Sequence, residues 1–165
     1  MPVPEKNGRV TLSGLETREH TLQLVQTYVD TLKDARIDEW GELWAQDAVC
    51  EFPFARDAER RIYTGRDAII AYTRAIMGRI RVDGIERLRV MPLEDPEGVV
   101  IEAVIEARIL PEGNRYHQTY VAVCETKDGK IQHYREYFNP LVSEEALNSG
   151  RTIASGAIGV AGDER

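Results

Sequence analysis

Cysteine is scarce in this chain: Cys50 and Cys124 are the two thiols among 165 residues. Two thiols exclude the disulfide framework of a small secreted domain. Each sits in an apolar run, VCEF or AVCE, where cysteine acts as a small buried hydrophobe. Histidine is scarce as well. His20, His117 and His133 show no HExxH or comparable ligand spacing, so no metal site is expected. No apolar run approaches the roughly 18 residues of a membrane span, so no membrane partner is expected. The opening MPVPEKNGRV lacks the apolar stretch of a signal peptide, which makes the cytoplasm the expected compartment. Positive charge is short: 21 Lys and Arg against 28 Asp and Glu leave a formal net charge of -7. That balance speaks against nucleic acid, whose phosphates need a basic patch. Arg74, Arg79, Arg81, Arg87 and Arg89 come nearest to one. Acids are dispersed among them, and they read as solvated or pairing charges.

What is present is a single domain with a real core, at 42% apolar and 30% charged residues. Residues 1–12 read as a flexible N-terminal arm, 13–148 as the folded domain and 149–165 as a flexible, Gly- and Ala-rich tail. Ser13 and Glu16 fit a capping box ahead of a helix whose stripe is Leu15, Leu22, Val25, Val29 and Leu32, with Tyr28 at its boundary. A second helix is predicted from Ile37 to about Asp47, with Trp40, Leu43 and Trp44 as its apolar face. A strand follows over Ala48–Phe54, then a charged loop, then a third helix from Asp67 to about Arg79. The rest reads as strands: Ile85–Met91, Val99–Leu110, Arg115–Thr126 and Ile131–Pro140. Ile101, Ala103, Ile105, Ala107 and Ile109 share one face of the second of these. Asp128-Gly129 marks a hairpin before the last. Helices first and long antiparallel strands after make an α+β order. A sheet apolar on both faces needs cover on both, and a second copy could supply one side, so a homodimer is expected.

The run YVDTLKDARIDEWGELWAQDAVCEFPF, followed by YTGRDAIIAYTRAI, resembles the opening of the nuclear transport factor 2-like superfamily, which includes ketosteroid isomerases and SnoaL-like polyketide cyclases. The carrying residues are Leu43-Trp44-Ala45-Gln46-Asp47-Ala48, Pro53, and Gly65 with Ile69. The resemblance implies a cystatin-like cone: a curved antiparallel or mixed sheet wrapped around a pocket and closed by three N-terminal helices. The ending Arg135-Glu136-Tyr137-Phe138-Asn139-Pro140 resembles the phenazine-biosynthesis A/B proteins, whose pocket acid is the glutamate of that motif.

Alternation puts Gln132, Tyr134, Glu136 and Phe138 on one face of the last strand and Ile131, His133, Arg135 and Tyr137 on the other. Both faces are mixed, so the pattern leaves the inward face open. The resemblance selects the Glu136 face. Glu136 is then a carboxyl among aromatics, a candidate proton donor or relay. Its alternative is a surface glutamate paired with an arginine. Tyr28 matches the tyrosine that the isomerases place in an oxyanion hole, against the alternative of a core tyrosine. Tyr72, Tyr120, Tyr134, Phe138, Phe52 and Trp44 complete the candidate pocket, with Trp44 and Trp40 also read as core. Phe52 stands where the isomerases carry an aspartate, and Tyr72 and Ile76 where the phenazine group carries histidine and serine. Of His117 and Gln118, one faces inward. The expected function is cofactor-free proton transfer on a cyclic or polyketide-like metabolite, as an isomerase, cyclase or dehydratase. The alternative is a non-catalytic ligand-binding or accessory subunit.

Overall fold

The structure, a computed structural model, describes residues 13–148. The arm and tail expected on either side lie outside the described residues. Helix α1 (Gly14–Lys33) is followed by α2 (Ile37–Gly41), strand β1 (Trp44–Glu51), a one-turn 3-10 helix (Ala58–Arg60), β2 (Ile62–Thr64) and α3 (Arg66–Met77). Strands β3 (Ile80–Pro92), β4 (Gly98–Ile109), β5 (Asn114–Lys127) and β6 (Lys130–Phe138) come next, and α4 (Pro140–Asn148) is the last element of the described residues. The six strands form one sheet in the order β2-β1-β6-β5-β4-β3, in which β1 runs parallel to β6 and every other pair is antiparallel. The α+β architecture expected from the sequence is the one observed. No helix of the described residues is long and apolar enough to cross a membrane.

Helix α1 starts as the capping box predicts: Ser13 N–H donates to Glu16 Oε2 at 2.7 Å, and Glu16 N–H donates to Ser13 Oγ at 3.3 Å. Its buried stripe differs from the expected one. Thr21, Leu24, Val25, Tyr28 and Thr31 face the core, while Leu15 is 76% exposed. Threonine reads as polar, yet Thr21 and Thr31 hydroxyls donate to the carbonyls of Thr17 and Thr27, so burying them leaves no unmet hydrogen bond. The stripe therefore rotates, and Tyr28 sits at its centre rather than its boundary.

Helix α2 is one turn long, not the ten residues expected. Trp40 and Trp44 are four apart, which mimics a helical face, but the chain is already in β1 at Trp44, and Ile131 N–H donates to Leu43 O at 2.8 Å. Gly41 lies where a Cβ would fall 2.5 Å from Ile70 Cδ1, so α2 crosses α3 at the closest range glycine permits. The two tryptophans still pack together, with ring centroids 5.1 Å apart. Strand β2 and helix α4 were not anticipated: β2 has only three residues, and α4 follows the proline that reads as a stop. The hairpin before β6 is as expected, with Asp128 and Gly129 both at positive φ (52° and 73°).

The sheet bends because its ladders slip. Register shifts occur in β3–β4 between Val82 and Gly84 and between Ile85 and Arg87, and in β5–β6 between Glu125 and Thr126. Bulges of this kind add bend and twist. The last slip also breaks the alternation of β6. Ile131 is fully buried with Tyr134, whereas Gln132, expected on the Tyr134 face, turns out to bond Asp47 Oδ1 at 3.2 Å. From Tyr134 onward the alternation holds.

Candidate functional site

Between the concave face of the sheet and helices α1 to α3 lies a cavity of about 190 Å³. Small residues on the sheet create it. Ala103 and Ala107 of β4 and Ala122 of β5 point into it between larger neighbours, leaving volume that isoleucines would fill. One side is aliphatic, from Ile76, Ile80, Ile101 and Ile105; the other is aromatic.

All eight pocket residues expected from the sequence reach the wall of this cavity: Glu136, Tyr28, Tyr72, Tyr120, Tyr134, Phe138, Phe52 and Trp44. Glu136 is opposite Ala122 on β5, so nothing large crowds its carboxyl from that strand. It is the one carboxyl among the residues that line the cavity. Tyr134, two residues earlier on the same face, donates its hydroxyl to Glu136 Oε2 at 3.1 Å. Burial away from water pushes the Glu136 pKa up to about 7, against the pull of that hydrogen bond. Tyr28 packs on Trp40 (5.6 Å) and Tyr134 (5.3 Å), and its phenol is held well above its ordinary value by burial first and by the Glu136 charge second. Burial holds Tyr72, Tyr120 and Tyr134 up in the same way. The cavity therefore contains neutral phenols, which donate hydrogen bonds, and one acid poised near neutrality. Phe52 is inward and buried, as expected, and stacks near Tyr72 at 5.1 Å.

A second polar cluster lies behind Tyr120. The hydroxyls of Tyr120 and Tyr116 are 2.9 Å apart, and Tyr116 reaches Ser143 of α4 at 3.2 Å. Gln118 is the inward residue of the His117/Gln118 pair. It donates to Asn139 O at 2.8 Å and accepts from Asn139 N–H at 3.3 Å, which ties the end of β6 to β5. Sequence reasoning missed Tyr116 and Ser143. Period-two alternation places Tyr116 on the face of Tyr120, and that signal could have found it. Ser143 had none, because its helix was not anticipated. His117 is on the opposite face, 3.0 Å from Glu86 and 3.8 Å from Glu106. These three could approach a metal ion, but Glu106 is already held bidentately by Arg115 at 2.5 and 3.1 Å, so the trio reads as part of an ion-pair ladder.

A curved mixed sheet closed by helices is the fold of the nuclear transport factor 2-like class. Within it, the SnoaL-like domain family matches residues 25–134, and the chain belongs to that family. YesE of Bacillus subtilis, an uncharacterised protein, is 30% identical over 129 residues, covering 78% of this chain and 88% of its own. An uncharacterised PhzA/B-like protein of Pseudomonas aeruginosa is 29% identical over 143 residues, covering 87% of this chain and 96% of its own. Among solved structures, a candidate isomerase from Bacillus subtilis superposes with a TM-score of 0.73 at 29% identity, covering 84% of this chain and 98% of that one. A phenazine biosynthesis-related protein from Pseudomonas aeruginosa has a TM-score of 0.65 at 19% identity, over 86% and 94% of the two chains, a likeness of fold.

Proposed function

We propose that the protein is an acid–base enzyme that needs no cofactor and moves a proton beside a carbonyl of a small cyclic or polyketide-like metabolite, as an isomerase, cyclase or dehydratase. The observation that carries this reading is Glu136: the one carboxyl of the cavity wall, hydrogen-bonded by Tyr134, with its pKa pushed up to about 7. A group titrating near the working pH serves as acid and as base in successive steps. The surrounding phenols stay protonated and can donate to an oxygen that gains charge as the neighbouring carbon loses its proton. The relatives' names, a candidate isomerase among them, agree with this class.

The test is exchange of the α-hydrogens of β-tetralone, a two-ring ketone, in deuterium oxide, followed by proton NMR. Wild type is expected to accelerate exchange, and Glu136→Gln to lose about two to four orders of magnitude of that acceleration. Exchange as fast in the Gln variant would sink the proposal. A second reading, a ligand-binding or accessory subunit, has one observation in its favour: no second carboxyl or histidine lines the cavity beside Glu136. Binding of the ketone by wild type without exchange would support it.

We also propose that the chain pairs with a second copy through the convex face of the sheet. Val121 is 38% exposed there, faces Tyr137 across β5–β6, and Tyr137 packs on Phe54, itself 56% exposed. Sedimentation at micromolar concentration is expected to give a dimer. A monomer there would remove this part of the proposal.

A further inference from the structure

Polar groups on the cavity wall differ in how open they are to a ligand: the indole N–H groups of Trp40 and Trp44 have no partner but are sealed in the packing. Most of its phenols are already engaged. Tyr134 donates to Glu136 Oε2, Tyr120 shares a hydrogen bond with Tyr116, and Tyr28 is packed against Trp40 and Tyr134 with 6% of its surface exposed. Tyr72 differs. Its hydroxyl makes no hydrogen bond with a described residue, and burial is the main cause of its raised pKa. Its ring does not wander, because Tyr63 stacks on it at 4.3 Å and Phe52 at 5.1 Å. Tyr72 and Glu136 both line the cavity. On Glu136 itself Oε2 accepts the Tyr134 hydrogen bond, and Oε1 accepts from no described residue. The Tyr72 side chain is half-buried and its hydroxyl is not sealed off, so a ligand in the cavity can accept from it.

We infer that Tyr72 donates its hydrogen bond to the carbonyl oxygen of the ligand, while Glu136 faces the adjacent carbon, and that the ligand is a neutral one- or two-ring ketone or its enol. The assignment of Glu136 rests on the acid–base reading above; the assignment of Tyr72 does not. Size sets the ring count. A cavity of about 150 Å³ encloses benzene, so about 190 Å³ admits one substituted ring or two compact ones, and four fused rings exceed it. Polarity sets the charge. Away from Glu136 the deep wall is Ile76, Ile80, Ile101, Ile105, Phe52 and Phe138, and the one cation, the exposed Lys33, is at the rim, so a charged substituent held deep in the cavity is desolvated and unpaired. The proposed donor thus sits on α3, whereas family likeness had pointed to Tyr28 on α1, whose ring is buried against Trp40 and Tyr134.

The probes are β-naphthol, an enol analogue, and carbonyl-13C β-tetralone, titrated into wild type, Tyr72→Phe and Tyr137→Phe, the last on the convex face outside the cavity. Wild type is expected to bind β-naphthol. Tyr72→Phe weakens that binding by about tenfold, the loss of one hydrogen bond, while Tyr137→Phe changes it little. The bound tetralone carbonyl resonance moves downfield in wild type and Tyr137→Phe, and returns toward the free position in Tyr72→Phe. Because phenylalanine keeps the stack on Tyr63 and Phe52, the variant is expected to melt as wild type does, and the carbonyl shift reads the hydrogen bond independently of affinity. Equal affinity together with an unmoved carbonyl resonance in Tyr72→Phe overturns the donor assignment. Absence of β-naphthol binding, or tighter binding of the four-ring phenol estradiol, overturns the ligand class. A Glu136→Gln variant that still binds β-naphthol and still exchanges tetralone hydrogens strikes the acid–base reading alone and leaves Tyr72 standing.

Discussion

The two faces of the sheet treat carboxylates in opposite ways. On the convex face Asp83 takes a hydrogen bond from Arg108 at 2.8 Å and Glu106 is clasped by Arg115, and both are held below the ordinary carboxylate range by those hydrogen bonds. Glu51 meets His133 on that face too. On the concave face Glu136 has no cation beside it and one phenol to hold it, and burial pushes it up. Across the thickness of one sheet, the same functional group changes from a fixed anion to a proton carrier. The difference lies in water and counter-charge, not in residue type.

The comparison can be broken most directly at Glu136. Its folded pKa, about 7, lies above its ordinary 4.5. Its contribution to stability is therefore complete below the unfolded value and is lost as pH rises from there through the folded one. The full difference is about 3 kcal/mol. Glu136→Gln is expected to remove that loss: thermal melting of the variant should exceed wild type above neutrality, and the gap should close on acidification. Parallel melting curves at all pH values would show that Glu136 is not held neutral by the fold. A smaller effect is expected from Tyr134→Phe. Removing the hydroxyl takes away the one interaction that favours the anion, so the Glu136 midpoint, followed by carbon NMR of labelled glutamate, should move upward. A downward move would contradict the opposition between burial and hydrogen bond described here. The smallest effect belongs to the convex face. Glu106→Gln breaks an exposed pair with Arg115, and exposed pairs contribute little. Its melting temperature should stay close to wild type, with the remaining difference erased by salt at about 1 M. A loss as large as that of a core substitution would mean that this face is buried, as in a dimer.

Much of the site was legible in the chain itself. The alternation from Tyr134 to Phe138 is local, and it put Glu136, Tyr134 and Phe138 together. The likeness to known families chose which face turned inward, and the fold agrees. Phe52 was separable from Glu51 by polarity, whereas the sequence left the choice between His117 and Gln118 open and the structure turned Gln118 inward. Failures occurred where a local pattern had two readings. Trp40 and Trp44 fit a helix, but hydrogen bonding to β6 drew Trp44 into a strand. The threonines of α1 stood outside the expected stripe, and their bonds to the preceding turn let them enter the core. Ser143 belongs to a helix after a proline, where the pattern had pointed to an end.

By itself, the sequence determined the α+β order, the capped first helix, the Asp128-Gly129 hairpin and the presence of one acid among aromatics in the last strand. These follow from short-range periodicity and turn chemistry. Tertiary structure decided the rest: that Ala103, Ala107 and Ala122 from two strands leave one shared cavity, that Glu136 lies in it with no ion pair among the described residues, and that the half-buried Tyr72 faces it with its hydroxyl unbonded. Volume, desolvation and the pairing of hydroxyls arise between segments distant in the chain, and no window of sequence contains them.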